Sequence, residues 1–240
     1  MNYPDLLDTT QLEKSYVVAN NRMNRERMLW GTNSHQKDLG RARSGCPIDL
    51  LEFLTVQSLT HDVVRWMDLC CGSGNALLQA AKALHETGGS GSMRFEGLDL
   101  AGMFSVVPGS LKEILHLQAG SVTDWVPSEN YDLITCIHGI HYVADKLGLL
   151  RKAMGCLKPD GLLIATLDTD NLKDPDGKSL HAWWKAECLR NNWKYSARRH
   201  LLRVFGPQDW PAICTFLGAD DQAGPNYTGQ PAVDSYYEVE

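Results

Sequence analysis

Residues 63–74 read Val63-Val64-Arg65-Trp66-Met67-Asp68-Leu69-Cys70-Cys71-Gly72-Ser73-Gly74, and this stretch decides the fold. A short apolar, β-rich run ends in a carboxylate, turns through small residues, and enters an Ala/Leu-rich stretch that reads as a helix to about Glu86. Strand, tight turn and helix in that order form the ligand-binding corner of a doubly wound sheet, where ligands sit outside the carboxyl ends of the strands. Glycines at such a turn let the backbone approach a ligand closely, and amides at a helix start attract a carboxylate.

Working outward, the alternation continues. Met93–Leu98 reads as a strand, then Leu115–Ala119, then Tyr131–Ile137 (YDLITCI). Ala144–Leu157 has a helical pattern that stops at Lys158-Pro159-Asp160-Gly161, a turn with Pro and Gly in favoured places, and Leu162–Leu167 follows as a strand. Strands alternating with helices predict a doubly wound, mainly parallel sheet with helices on both faces, here seven-stranded. Before this core, Thr9–Trp30 lacks Pro and Gly, and Leu12, Tyr16, Ala19, Met23 and Trp30 recur at helix-like steps until Gly31. A second helix is expected from Pro47 to about Leu59. After the core, the pattern predicts a helix over Ser179–Asn192, a strand over Arg198–Phe205, a short helix over Pro207–Leu217 and a strand over Ala232–Glu238. The expected division is a helical cap or lid over 1–60 and a Rossmann-like domain over 61–240.

Composition narrows the class. The 240 residues carry 23 Lys+Arg against 29 Asp+Glu, a formal net charge of −6, with 43% hydrophobic and 22% charged residues. These values are those of a globular chain, not a disordered one or a coiled coil. The apolar runs fall far short of the ~20 residues of a membrane span, and the acidic balance argues against a surface made for nucleic acid. Residues 1–10 contain Asp5 and Asp8 and no basic residue, so no secretory signal is read there. Seven cysteines without a C-x-x-C pair fit buried thiols in a reducing compartment, not a zinc ribbon, and the expected location is cytoplasmic.

The chemistry of the corner can be narrowed too. A dinucleotide fingerprint wants a third glycine where Leu77 stands, and no GK[ST] is present for a phosphate loop. Asp68 suits a ligand bearing an ammonium group. In Gly97-Leu98-Asp99-Leu100 a second strand ends in an acid, 25 residues after Gly74, where a carboxylate accepts both hydroxyls of a ribose.

At this point the sequence resembles the class I S-adenosylmethionine-dependent methyltransferases. D-L-C-C-G-S-G over 68–74 matches the family's acid-plus-glycine motif except at its first glycine, where Cys70 stands. Gly120-Ser121-Val122-Thr123-Asp124 takes the place of the usual G-D-A, so Ser121 replaces an acid. Tyr131-Asp132-Leu133-Ile134 opens the fourth strand, and Leu157-Lys158-Pro159-Asp160-Gly161-Leu162 matches L-K-P-G-G. The resemblance covers roughly Val63–Leu167. It implies S-adenosylmethionine as cofactor and S-adenosylhomocysteine as product. Asp68 would act near the methionine ammonium, with Cys70, Gly72 and Gly74 forming the wall. Asp99 would hold the ribose, Leu100, Ser121 and Val122 would flank the adenine, and His138 would approach the methionine.

In this family the residues after the fourth strand border the reacting methyl. Here they are Ile137-His138-Gly139-Ile140-His141-Tyr142, which makes His141 and His138 candidate general bases. No [DN]-P-P-[YFW] of nucleic-acid amino methyltransferases stands there, nor the Pro-Cys pair of RNA cytosine-C5 enzymes. The aromatic and polar face of the N-terminal helix supplies candidate substrate residues: Tyr16, Met23, Asn24, Trp30 and His35, with Tyr142 from the loop. The expected function is methylation of a small molecule at nitrogen or oxygen, in natural-product biosynthesis, with no membrane partner and nucleic acid disfavoured. Two alternatives stay open. One is an RNA or tRNA methyltransferase, carried by the basic, Trp-bearing stretch Lys185–Arg203; the other is a non-catalytic cofactor-binding subunit.

Overall fold

At the centre of the molecule lies β1 (Val64–Leu69), paired in parallel with β2 (Met93–Asp99) on one side and β4 (Tyr131–Cys136) on the other. The computed structural model describes residues 5–19, 26–31, 34–39, 49–211 and 214–239. A strand covered on both faces must be apolar on both, and β1 alternates accordingly. Val64 and Trp66 enter the core on one face of the sheet, while Met67 and Leu69 enter the core on the other.

With β3 (Leu115–Ala119), β5 (Leu157–Thr166), β7 (Lys194–Ser196) and β8 (Leu201–Phe205), the seven strands run in the order β3-β2-β1-β4-β5-β8-β7. β5 pairs with β8, and β8 with β7, in antiparallel fashion. The chain winds from β1 outward to β3, then returns to the other side at β4, so the switch point lies between β1 and β4. The expected seven-stranded, mainly parallel, doubly wound sheet is what forms. A second sheet joins β6 (Leu172–Lys173), β10 (Asp234–Val239) and β9 (Cys214–Asp220), with β10 in the middle.

Close approach explains the glycines of the corner. The helix after β1, Asn75–Glu86, starts at Gly74 with φ +74°, and a β-carbon there would sit 2.6 Å from Leu117 Cδ1. Gly97 in β2 is similarly constrained: its β-carbon would lie 2.8 Å from Leu77 of that helix and 2.8 Å from Cys71 Sγ. At the opposite end of the sheet, buried Asp132 accepts from the Arg65 amide (2.6 Å) and Lys158 Nζ (2.8 Å). It ties strands together far from the switch-point crevice.

Three expectations are corrected. Thr9–Trp30 is not one helix. It forms α1 (Thr9–Glu13) and α2 (Tyr16–Ala19), separated by a turn at Lys14-Ser15, and residues 20–25 lie outside the described set. The stripe fails because its members do not share a face: Leu12 is wholly buried against Ala144, Ala219 and Val233, while Tyr16 is 78% exposed. Pro207–Leu217 is not helical. Residues 207–211 run without helix between two prolines, and Cys214–Asp220 is a strand whose edge is taken by β10. The Lys158–Gly161 turn is absorbed into β5, opposite a register shift at Tyr131/Leu133, where a β-carbon on Gly161 would meet Tyr131 O at 2.7 Å.

The N-terminal residues also join the main core. α3 (His35–Leu39) and α4 (Leu50–Gln57) send Leu39, Leu50 and Leu54 into the same cluster as Trp66 and Leu77, together with Leu29.

Candidate functional site

The crevice at the carboxyl ends of β1, β2 and β4 holds a cavity of about 380 Å³. One wall comes from the turn after β1, where Cys70, Gly72 and Gly74 all have positive φ (+58°, +62° and +74°). Left-handed backbone at a residue with a β-carbon is uncommon. Cys70 adopts it by packing onto Gly139 of the post-β4 segment, where a β-carbon would lie 2.1 Å from Cys70 Cβ. His138 beside it is also left-handed (φ +60°), its amide donating to Thr166 Oγ1 at 2.6 Å. The hydrogen bond with Cys136, followed by burial, pushes the Cys70 thiol well above its ordinary pKa, so it stays protonated.

Asp99 joins two walls. Its Oδ2 accepts from the Gly72 amide at 2.9 Å and its Oδ1 from the Ala101 amide at 3.0 Å. Asp99 is itself among the residues that line the cavity. Leu100 and Val122 add apolar wall on either side. Ser121 Oγ accepts from the Thr123 amide (3.0 Å) and donates to Glu13 Oε1, which brings Glu13 of α1 into the wall.

Asp68 sits behind this surface. It is 1% exposed, accepts from Thr135 Oγ1 at 2.5 Å, and pairs with His35 Nε2 at 3.2 Å. It is absent from the cavity lining, as are Gly74 and Ser121.

Past β4, Gly139 and Tyr142 line the cavity, and the Tyr142 hydroxyl lies 3.3 Å from Gln230 Oε1. His138 and His141 turn away from it into a ring cluster closed by Tyr227. The Tyr227 hydroxyl stands 3.4 Å from His138 Nδ1, and its ring stacks on His200 at 3.8 Å. Burial, then the neighbouring Arg27 and His35, push His138 down to about 3. His141 is wholly buried, and burial, then His138 and Lys146, hold it well below the ordinary histidine range. Neither His141 ring nitrogen has a hydrogen-bond partner among the described residues. Both imidazoles are neutral at physiological pH.

Of the residues expected at the site, the cavity brings together Cys70, Gly72, Asp99, Leu100, Val122 and Tyr142. Tyr16 and Trp30 (42% exposed) do not line it, and His35 is occupied with Asp68. Met23 and Asn24 lie outside the described residues. The N-terminal segment reaches the cavity through Glu13 and Val18 instead. Sequence reading missed Glu13, Tyr227 and the need for glycine at 139. Nothing local marks Glu13, whose partner is 108 residues away.

A carboxylate at the end of β2 between two loop amides, apolar walls beside it and a glycine turn across from it form a cradle for a nucleoside with an extended tail. Fold and crevice thus define a doubly wound nucleoside-cofactor protein. A model of the family described as a methyltransferase domain matches residues 40–215. The chain belongs to that family, among the class I S-adenosylmethionine-dependent methyltransferases, whose methyl donor is S-adenosylmethionine. The chain is 31% identical over 140 residues to a trans-aconitate 2-methyltransferase of Acidovorax sp. (strain JS42), covering 58% of this chain and 52% of that one. It is 26% identical over 124 residues to a demethylmenaquinone methyltransferase of Lysinibacillus sphaericus (strain C3-41), covering 49% and 50%. It thus spans about half the length of these curated relatives. Among solved structures, the amino pentose methyltransferase CalS10 of Micromonospora echinaspora superposes with a TM-score of 0.36 at 22% identity, over 49% of each chain. No helix among the described residues is long and apolar enough to cross a membrane.

Proposed function

We propose that the protein transfers a methyl group from S-adenosylmethionine to a nitrogen or oxygen of a small molecule. The observation that carries this reading is one cavity bounded both by Asp99 at the end of β2 and by the post-β4 residues Gly139 and Tyr142. Asp99 takes the ribose hydroxyls, Leu100 and Val122 the faces of the base, and Cys70 and Gly72 the methionine side. Asp68 adds negative potential from behind the turn, toward the ammonium. The bound cofactor supplies an electrophilic methyl on sulfonium sulfur. The chain's own contribution is alignment and exclusion of water.

The state of the two histidines narrows the acceptor. An imidazole that holds its proton only near pH 3 is a weak base, since an efficient general base has a pKa near the working pH. The two rings pack against each other at 5.8 Å outside the cavity lining, so neither is placed to act as the base. An acceptor that needs no deprotonation fits such a site: a neutral amine or a carboxylate. The names of the two curated relatives, trans-aconitate and demethylmenaquinone methyltransferases, support a small molecule. An RNA reading loses its stacking surface, because Trp184 and Trp193 are buried against Trp210 with ring centroids 5.1–6.0 Å apart.

The test is a transfer assay with methyl-labelled S-adenosylmethionine against small amines, small carboxylic acids and bulk tRNA. Label in an amine or acid product supports the proposal. Label in tRNA alone overturns it.

A further inference from the structure

Glu13 has no counterpart in the matched part of the family, which begins at residue 40. It stands at the end of α1, half-buried, in the wall of the cavity beside Val122 and Thr123. Three features hold it there. Asp8 and Gln11 close a capping box at the start of α1. Leu12 is wholly buried against Ala144, Ala219 and Val233. Leu7 exchanges two backbone hydrogen bonds with Ala219, at 2.8 and 2.9 Å. The carboxylate then accepts from Ser121 Oγ through Oε1, while Oε2 has no partner among the described residues.

Resting on the cofactor reading above, we propose that Glu13 recognises the exocyclic amine of the adenine, supplying from the N-terminal segment the carboxylate that the loop after β3 lacks. The sheet order gives the direction. With the ribose at Asp99 on β2 and the reacting end toward the post-β4 residues, the base must extend the other way, toward the end of β3. There it meets apolar wall on its faces, Leu100 and Val122, and a carboxylate at its edge. A partly buried carboxylate seeks N–H donors, and charge-assisted bonds of that kind are the strong ones. Adenine offers an amino group with two N–H donors. Hypoxanthine offers a carbonyl oxygen at the same place, which a carboxylate repels. Base recognition is thereby tied to the docking of α1 on the second sheet.

The test is calorimetric binding of S-adenosylhomocysteine and of S-inosylhomocysteine, its deaminated analogue, to the full chain and its Glu13→Gln, Glu13→Ala and Ser121→Ala variants. Circular dichroism and urea midpoints report folding. The wild type is expected to prefer the adenine compound by about tenfold or more, the scale of one charge-assisted bond. Glu13→Ala is expected to bring the preference within about threefold, with Glu13→Gln and Ser121→Ala in between, at unchanged midpoints. An undiminished preference in folded Glu13→Ala or Glu13→Gln overturns the assignment of Glu13 and leaves the cofactor reading standing. Absence of S-adenosylhomocysteine binding by the wild type overturns both.

Discussion

Replacing Asp99 by alanine is expected to weaken cofactor binding far more than it weakens the fold. Its carboxylate would lose two hydrogen bonds from ribose hydroxyls, each contributing about 1.5–3 kcal/mol for a charged acceptor. Water entering the vacated space offsets part of this, leaving about 2–4 kcal/mol, or roughly 30- to 700-fold in Kd. The structural cost is separate. The Gly72 and Ala101 amides lose their acceptor, at about 1 kcal/mol each where water can reach them. Asp99→Asn keeps a carbonyl for one of them and is expected to fall between wild type and alanine on both measures. Titration calorimetry with S-adenosylhomocysteine reads the first effect, and urea unfolding of the free protein reads the second. A Kd within threefold of wild type, in an Asp99→Ala protein that unfolds cooperatively, would refute the placement of the ribose.

Gly139→Ala puts a β-carbon 2.1 Å from Cys70 Cβ, so a loss of about 1–3 kcal/mol in urea unfolding is expected. Cys70→Gly in the same chain should restore most of it, and additive losses would deny the contact. His138→Asn is expected to change kcat/KM for the acceptor by less than about threefold, with S-adenosylhomocysteine affinity unchanged, because the ring stands outside the cavity lining. Because burial holds His138 near 3, the wild-type pH–rate profile should show no histidine limb between about 5.5 and 8; an inflection that disappears in His138→Asn would count against this placement. Lys146, buried with its ammonium on Val143 O, Val233 O and Ser235 Oγ, is pushed down to about 7 by that burial, against the raising effect of Asp234. Its folded pKa lies below the unfolded value, so the unfolded chain binds the extra proton between about pH 7 and 10.5. Stability from this group therefore rises with pH across that window and is flat below it, by up to about 1.4 kcal/mol per pH unit. The stability difference between wild type and Lys146→Met should change with that slope between pH 7.5 and 8.5, and a constant difference would contradict it.

The parts of the molecule that could be read in advance are those where cause and effect lie close in sequence. The strand ending at Leu69, the turn through Gly72 and Gly74, and the acid closing β2 each announce themselves within ten residues, and the parallel sheet follows from their alternation. What resisted reading depends on contacts between distant residues. The periodic face of Thr9–Trp30 is divided by the second sheet, which buries Leu12 and leaves Tyr16 in solvent. Cys214–Asp220 becomes a strand because β10 offers it an edge. His141 keeps its place in the post-β4 loop but is buried under Tyr227, some 86 residues on, and so loses the basicity its position in sequence promised. Glu13 enters the site from the far end of the chain.

The measurement that bears most directly on the whole account is titration of the full chain with S-adenosylmethionine, followed by displacement with S-adenosylhomocysteine. The account predicts saturable binding of one cofactor per chain, competitive with the product and abolished or severely weakened in Asp99→Ala. No binding of either compound by the folded wild-type protein would contradict it.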